Sequence, residues 1–270
     1  IARWVATHLK KPLVVSCVDD YYLSNANAGT FWGNLYHKLF MKSVYNTMKT
    51  ASYIFTICDT MQAEYTKLFH KKCYTLYTSA EGKELILNEE ATQISYIGNL
   101  GFDRYKQLIN LGNALNKIGE HVDIYSAEKR PEVLSELKQA PGIVFHGAIP
   151  SEEVLMVMEN SVAVIHTESF VPKIKEKIRF SVSTKIAESL MYGPCLIAYG
   201  PEGIASIDYL KENKAAYVIT RPEDLESGLT EILTNRDLRE QIVRNARALA
   251  VKNHNAEVNP KKVRRWLEDI

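Results

Sequence analysis

The sequence predicts an α/β protein of two doubly wound parallel-sheet domains, the first of them incomplete. Three observations predict it. Short β-branched apolar runs alternate with amphipathic stretches of helical period along the chain. The length of 270 residues exceeds one ordinary domain, and 46% of the residues are apolar, enough to bury two cores.

Pro12 opens the run Leu13–Val18, which reads as a buried parallel strand. It ends at Asp19-Asp20-Tyr21-Tyr22, polar groups at the strand edge where open α/β sheets bind ligands. A helical stretch from Phe31 to Lys49 and a strand at Tyr53–Ile57 follow. Asp59 and Gln62 form a capping box that opens another helix, and Cys73–Tyr77 reads as a strand. This series lacks the first strands of a full doubly wound domain. The chain also starts without Met, directly in the amphipathic stretch Ile1–Ala6, so a natural N-terminus is expected to precede it. The expected organisation is a partial first domain at 1–78, a linker at 79–93, a complete second domain at 94–255, and a terminal helix at 256–270.

In the second domain, strands are expected at Ile94–Ile97, Val122–Tyr125, Ile143–Phe145, Val162–Ile165, Cys195–Ala198 and Ala216–Ile219. Helices fall between them at Arg104–Ile118, Pro131–Gln139, Glu152–Glu159, Thr184–Tyr192 and Ile204–Glu212. Thr220 and Glu223 read as a second capping box opening a helix to about Leu233. Asp237–Lys252 and Lys261–Glu268 complete the helices. Two such domains on a short linker would line a cleft with the C-terminal strand edges of both, which suits a two-substrate reaction.

Charge and cysteine content narrow the function classes. Thirty-three basic residues against 32 acidic ones argue against a general nucleic-acid binder. Cys17, Cys58, Cys73 and Cys195 show no metal-ligand spacing and read as reduced thiols of a cytoplasmic protein. No apolar run approaches the ~20 residues that span a bilayer. Lys67, His70, Lys71 and Lys72 follow an amphipathic helix. They read either as a solvated helix end or as a peripheral contact with the anionic inner face of a membrane.

Two segments carry phosphate chemistry. In Tyr96-Ile97-Gly98-Asn99-Leu100-Gly101-Phe102-Asp103-Arg104, a strand runs into two glycines and then a helix whose first turn offers Arg104 and Lys106. Glycines permit close backbone approach, and a helix N-terminus with a cation attracts phosphate. The spacing matches neither the dinucleotide fingerprint nor a Walker loop, and a tight turn with a solvated arginine is the plain alternative. In Ser181–Ala198, Ser183 is placed as a helix N-cap, and Thr184 and Lys185 open the helix. Lys185 and Glu188 share a helix face, where the carboxylate can accept from a ribose diol and the ammonium can meet a diphosphate. A surface ion pair is the alternative there.

Together these segments resemble the nucleotide-sugar domain of retaining GT-B glycosyltransferases, two Rossmann-like domains in architecture. The likeness is narrower with the group 1, family 4-like enzymes of bacterial surface-polysaccharide assembly. It is carried by Gly98-Asn99-Leu100 with Arg104, and by Ser183-Thr184-Lys185-Ile186-Ala187-Glu188-Ser189-Leu190-Met191 with Gly193-Pro194. The resemblance implies a hexosyltransferase-like enzyme that moves a sugar, with retention, from a nucleoside-diphosphate donor to a saccharide or lipid-linked saccharide acceptor. No cofactor, metal or nucleic acid is implied. It places Glu188 on the donor ribose and Arg104 where many relatives hold the diphosphate with lysine. Asn99 stands where an arginine is common, so one phosphate contact is expected either to be lost or to be supplied by Lys185. Glu168 resembles the first acid of the family's paired glutamates, and it and Asp19 are the catalytic candidates. Glu168 lies twenty residues before Glu188 rather than eight, with Pro172–Arg179 read as an inserted basic loop. Gly98 and Gly101 in the turn after the first strand, His146 and Gly147 at the end of another, and Ser126 and Tyr199-Gly200 at further strand ends on this edge complete the expected donor site. The backbone near His146 is expected to matter more than its imidazole. Asp19 and Asp20 point oppositely on an extended chain, so at most one of them faces a ligand. Two rival readings are a sugar-nucleotide epimerase of the same fold and a non-catalytic nucleotide-sugar-binding partner.

Overall fold

The structure, a computed structural model, describes residues 1–20, 22, 30–82, 88 and 90–268, with Phe31 described in its backbone alone. Tyr21 of the Asp19–Tyr22 segment and residues 83–87 and 89 of the expected linker lie outside the described residues. The architecture is α/β with two parallel sheets, in two compact units.

The first unit comprises residues 1–78, 176–182 and 257–270. In chain order it holds α1 (Ala2–His8), β1 (Val14–Ser16), α2 (Phe31–Thr50), β2 (Tyr53–Thr56), α3 (Asp59–Phe69) and β3 (Lys72–Thr75). The strands pair in parallel in the order β1-β2-β3. All four residues of β2 are buried, as expected of a central strand covered on both faces. The expected capping box at Asp59 and Gln62 does not form. Cys58 is the N-cap of α3, its Sγ accepting from Met61 N at 3.4 Å, while Gln62 Nε2 donates to the Cys73 carbonyl. Trp266 of the terminal helix (Asn259–Leu267) stacks on Tyr74 of β3 with ring centroids 4.6 Å apart.

The second unit comprises residues 79–175 and 183–256. Its elements are β4 (Gln93–Ile97), α4 (Arg104–Lys117), β5 (Val122–Tyr125), α5 (Pro131–Gln139), β6 (Ile143–Gly147), α6 (Ser151–Glu159) and β7 (Ser161–Thr167). There follow α7 (Pro172–Ile178), whose last three residues are counted with the first unit, α8 (Thr184–Tyr192), β8 (Cys195–Tyr199), α9 (Ala205–Glu212) and β9 (Tyr217–Ile219). A single 3-10 turn (Pro222–Asp224), α10 (Leu225–Thr234) and α11 (Arg236–Asn253) close the unit, and the terminal helix of the first unit is α12. The six strands are parallel in the order β6-β5-β4-β7-β8-β9. The chain therefore builds outward from β4 to β6, then returns to the other side of β4 with β7. The crevice at the carboxyl ends of β4 and β7 is the topological switch point, where open α/β sheets hold ligands.

Two further expectations are corrected here. Pro172–Arg179 is not a loop, because α7 occupies Pro172–Ile178. Pro172 suits the first helical turn, and Ile174 and Ile178 lie one turn apart on the apolar side of the lysine-rich segment. Thr220 and Glu223 do not cap a helix. Arg221 pairs instead with Asp224 at 2.7 Å across the 3-10 turn, and α10 starts at Leu225.

Candidate functional site

The segment between β4 and α4 is held by its own polar groups. Tyr96 Oη donates to the Asn99 carbonyl at 2.6 Å, and Asn99 Oδ1 accepts from Gly101 N. Phe102 and Asp103 then both take left-handed backbone angles, φ 55° and 57°. Non-glycine residues in that region cost on the order of 1 kcal/mol each, a strain that clusters at functional sites. The reversal sets Arg104 as the first residue of α4, beside the carboxyl end of β7.

There Arg104 meets Glu168. Nε donates to Oε2 at 3.0 Å and Nη2 to Oε1 at 2.9 Å, with the two side chains 15% and 0% exposed. Burial pushes the Glu168 carboxyl up, and the guanidinium opposes that shift. His166, two residues earlier on β7, is buried and shares Nε2 with Ser206 Oγ at 3.0 Å. Burial first, and then the Arg104 charge, hold its pKa down to about 3, so the ring is neutral.

On the other side of the crevice, Ser183 is the residue before α8, in extended conformation, and its hydroxyl makes no capping bond. Ile186 N turns back to the Ser183 carbonyl at 3.0 Å, and no Ser183 side-chain bond caps the first turn of α8, an arrangement that can receive an anion. The far end of this helix is closed. Arg247 of α11 donates to the carbonyls of Leu190 and Gly193 at 2.8 and 2.7 Å. A Cβ on Gly193 would sit 2.7 Å from the Ser189 carbonyl oxygen, so only glycine fits. Lys185 Nζ lies 3.4 Å from Glu188 Oε2.

Two cavities open on this edge. One, of about 240 Å³, is lined by Arg104, His166, Thr167, Ser183 and Thr184 among others. The second, of about 310 Å³, is lined by Tyr125, Ser126, Ala148, Ile149 and Ser151 among others. Both share Ile97, Gly98, Asn99 and Lys185, which form the divide between them. Among the acids here, Glu128 lines the second cavity, but Arg130 and the backbone N–H groups of Lys129 and Arg130 occupy it and lower its pKa to about 2.

The structure thus brings together Gly98, Asn99, Arg104, Ser126, Ser183, Thr184 and Lys185. Gly101, His146, Gly147, Glu168 and Glu188 line neither cavity. The His146 ring bonds Asp123 and stacks on Tyr125 at 4.7 Å. Gly147, at φ 85°, makes the turn that delivers Ala148 and Ile149, and its carbonyl accepts from Ser126 N. Asp19 belongs to the first unit, where it is exposed and its Oδ1 accepts from Asp20 N at 2.8 Å. Asp20 is buried, and its Oδ1 accepts from Tyr65 Oη and Tyr22 N. Sequence reasoning assigned no role to His166, Tyr125 or Arg247. The position of His166 two residues before Glu168 on one strand face was the available signal for the first.

The four cysteines are all buried and unpaired. Among the described residues no helix is long and apolar enough to cross a membrane.

Residues 104–264, more than half of the chain, match the family model described as glycosyl transferase-like. No curated protein matches the chain in sequence. Among solved structures, HepE of Anabaena in complex with UDP and glucose is similar over 99% of this chain and 74% of its own, with a TM-score of 0.71 and 13% identity. WaaG, a glycosyltransferase involved in lipopolysaccharide biosynthesis, is similar over 92% of this chain and 76% of its own, with a TM-score of 0.60 and 14% identity. Sucrose-phosphate synthase from Thermosynechococcus elongatus is similar over 99% and 71%, with a TM-score of 0.68 and 13% identity. At these identities the likeness is one of fold.

Proposed function

The chain belongs to the group 1 glycosyl transferase-like family, with GT-B fold, and from that premise we propose that it transfers a sugar from a nucleoside-diphosphate sugar to an acceptor hydroxyl. The observation that carries the proposal is the pair of cavities at the switch point, divided by Gly98, Asn99 and Lys185. We assign the nucleoside to the cavity bounded by Ser126, Ala148 and Ile149, and its ribose hydroxyls to Glu188, which lines neither cavity but lies 3.4 Å from Lys185 Nζ on the divide. The diphosphate falls on the divide, against Lys185 and the open N-terminus of α8, and the sugar enters the cavity of Arg104 and His166.

The chemistry suits these groups. Cleavage of the donor separates a cationic sugar from an anionic diphosphate, so positive groups aimed at the phosphates act most strongly in the transition state. Lys185 and the α8 backbone supply that charge, Arg104, paired with Glu168, offers directed N–H donors, and no cofactor enters the proposal. Retention of anomeric configuration follows in this reading from a leaving phosphate oxygen that helps to deprotonate the acceptor. Of the Asp19–Asp20 pair, Asp19 is the exposed member and is assigned to acid–base work, whereas Asp20 is held by Tyr65. We infer a saccharide or lipid-linked saccharide acceptor in polysaccharide or glycoconjugate synthesis at the cytoplasmic face of a membrane. Lys67, His70, Lys71 and Lys72 would meet the anionic lipid.

UDP-glucose is the first donor to test, because HepE was solved with UDP and glucose. Incubation with UDP-glucose and a lipid or saccharide acceptor pool should release UDP only when acceptor is present, and NMR of the product should show the donor's anomeric configuration. Sugar-nucleotide conversion without acceptor would favour an epimerase. Nucleotide binding with no turnover on any donor would leave a binding protein.

A further inference from the structure

Glu168 is the buried acid that the donor assignment does not use. It has no exposed surface, and it lines neither cavity. Its seat is closed behind it. Glu168 N donates to the Tyr199 carbonyl at 3.0 Å, and a Cβ on Gly200 would lie 3.1 Å from Glu168 Cβ. Both carboxylate oxygens are taken by one edge of Arg104. His166 Nε2 is 3.7 Å from Oε1, but that ring is neutral and its partner is Ser206.

Arg104, by contrast, lines the first cavity. A guanidinium carries five N–H donors in a fixed plane. Side-on pairing through Nε and Nη2 leaves the Nη1 donors unclaimed by Glu168 and fixes the plane in which they lie. The pair is close to electrically neutral, so Arg104 offers a ligand direction more than net charge. Net charge on this edge comes from Lys185.

We propose that Glu168 is a positioning residue: it holds the Arg104 guanidinium across the β4–β7 switch point as a directional donor to the donor's diphosphate, and does not touch the transferred sugar. The inference rests on the nucleotide-sugar reading of the site. It explains why the acid works at an altered spacing from Glu188, since its partner is on α4 rather than in the sugar.

Binding of UDP, UDP-glucose and uridine by isothermal titration separates the roles. Glu168→Gln can still accept one bond from Arg104 but presents an amide to the other N–H, so the plane is lost. It should weaken UDP and UDP-glucose by the same factor, about tenfold or more, and leave uridine unchanged. Should the unpaired guanidinium unfold the domain, the apolar pair Arg104→Met with Glu168→Met keeps shape and removes both charges. That double variant should match Arg104→Met alone in every affinity. Weakening of UDP-glucose alone in Glu168→Gln would overturn the inference by placing the acid on the sugar. So would a double variant that loses further affinity beyond Arg104→Met. Wild-type protein that binds none of the three ligands would instead overturn the donor reading, and this inference with it.

Discussion

Replacing Lys185 by Met should separate ligand binding from folding. Lys185 contributes little to the fold. Its pair with Glu188 is 3.4 Å long, with side chains 43% and 37% exposed. An exposed i,i+3 pair of this kind contributes roughly 0.2–0.5 kcal/mol. Methionine has similar length and helix propensity, so stability should fall by no more than about 0.5 kcal/mol. The ligand side is different, because Lys185 lines both cavities. One unit charge about 4 Å from another, at an effective dielectric of about 20, interacts by about 4 kcal/mol before desolvation. The net value of a charged hydrogen bond is about 1.5–3 kcal/mol. That converts to a UDP dissociation constant about ten- to a hundredfold weaker. Isothermal titration with UDP at fixed salt measures the loss, and urea unfolding measures stability. UDP affinity within about twofold of wild type would remove Lys185 from the phosphates. A loss of stability above about 1 kcal/mol would mean that the residue serves the fold instead.

Glu188→Gln should erase discrimination between UDP and its 2′-deoxy analogue; a ratio equal to that of wild type would take Glu188 off the ribose. His166 supplies a pH signature. Its folded pKa of about 3 lies below the unfolded value of about 6.5, so the unfolded chain binds the extra proton. The stabilising contribution of neutral His166 is full above about pH 6.5 and falls as pH drops towards 3, by up to about 1.4 kcal/mol per unit. His166→Gln should therefore flatten the stability profile from urea unfolding between about pH 6 and 4, and parallel profiles would contradict this. Gly193→Ala and Gly147→Ala should differ in kind. The first forces a Cβ to within 2.7 Å of a backbone oxygen and should cost a few kcal/mol in urea unfolding. The second meets nothing within 4 Å and bears only the strain of φ 85°, about 1 kcal/mol, while its moved turn weakens UDP binding.

What could be read from the sequence depended on how locally each feature is determined. The strands of the second unit were legible because buried parallel strands are short, β-branched and bounded by turn residues, as at Val122–Tyr125. Helix α8 was legible at both ends, because Ser183 precedes it and Gly193-Pro194 stops it. The two expected capping boxes failed for local reasons: Cys58, one residue earlier than expected, caps α3, and Arg221 pairs with Asp224 across the 3-10 turn that precedes α10. Helix α7 was hidden because its lysines outnumber the apolar pair Ile174 and Ile178. The contact between Arg104 and Glu168 spans 64 residues, and only the adjacency of β4 and β7 in the sheet brings them together. The neutrality of His166 is equally invisible in sequence, because burial by other elements creates it.

The central claim is that the edge around Gly98, Asn99 and Lys185 binds a nucleoside diphosphate. Thermal unfolding in the presence of UDP, GDP, ADP and CMP tests it most directly, since a ligand that binds only the folded state raises the midpoint. The account expects one nucleoside diphosphate to raise the midpoint of the wild type, and the same concentration to raise that of Lys185→Met much less. A midpoint unmoved by all four nucleotides would contradict it.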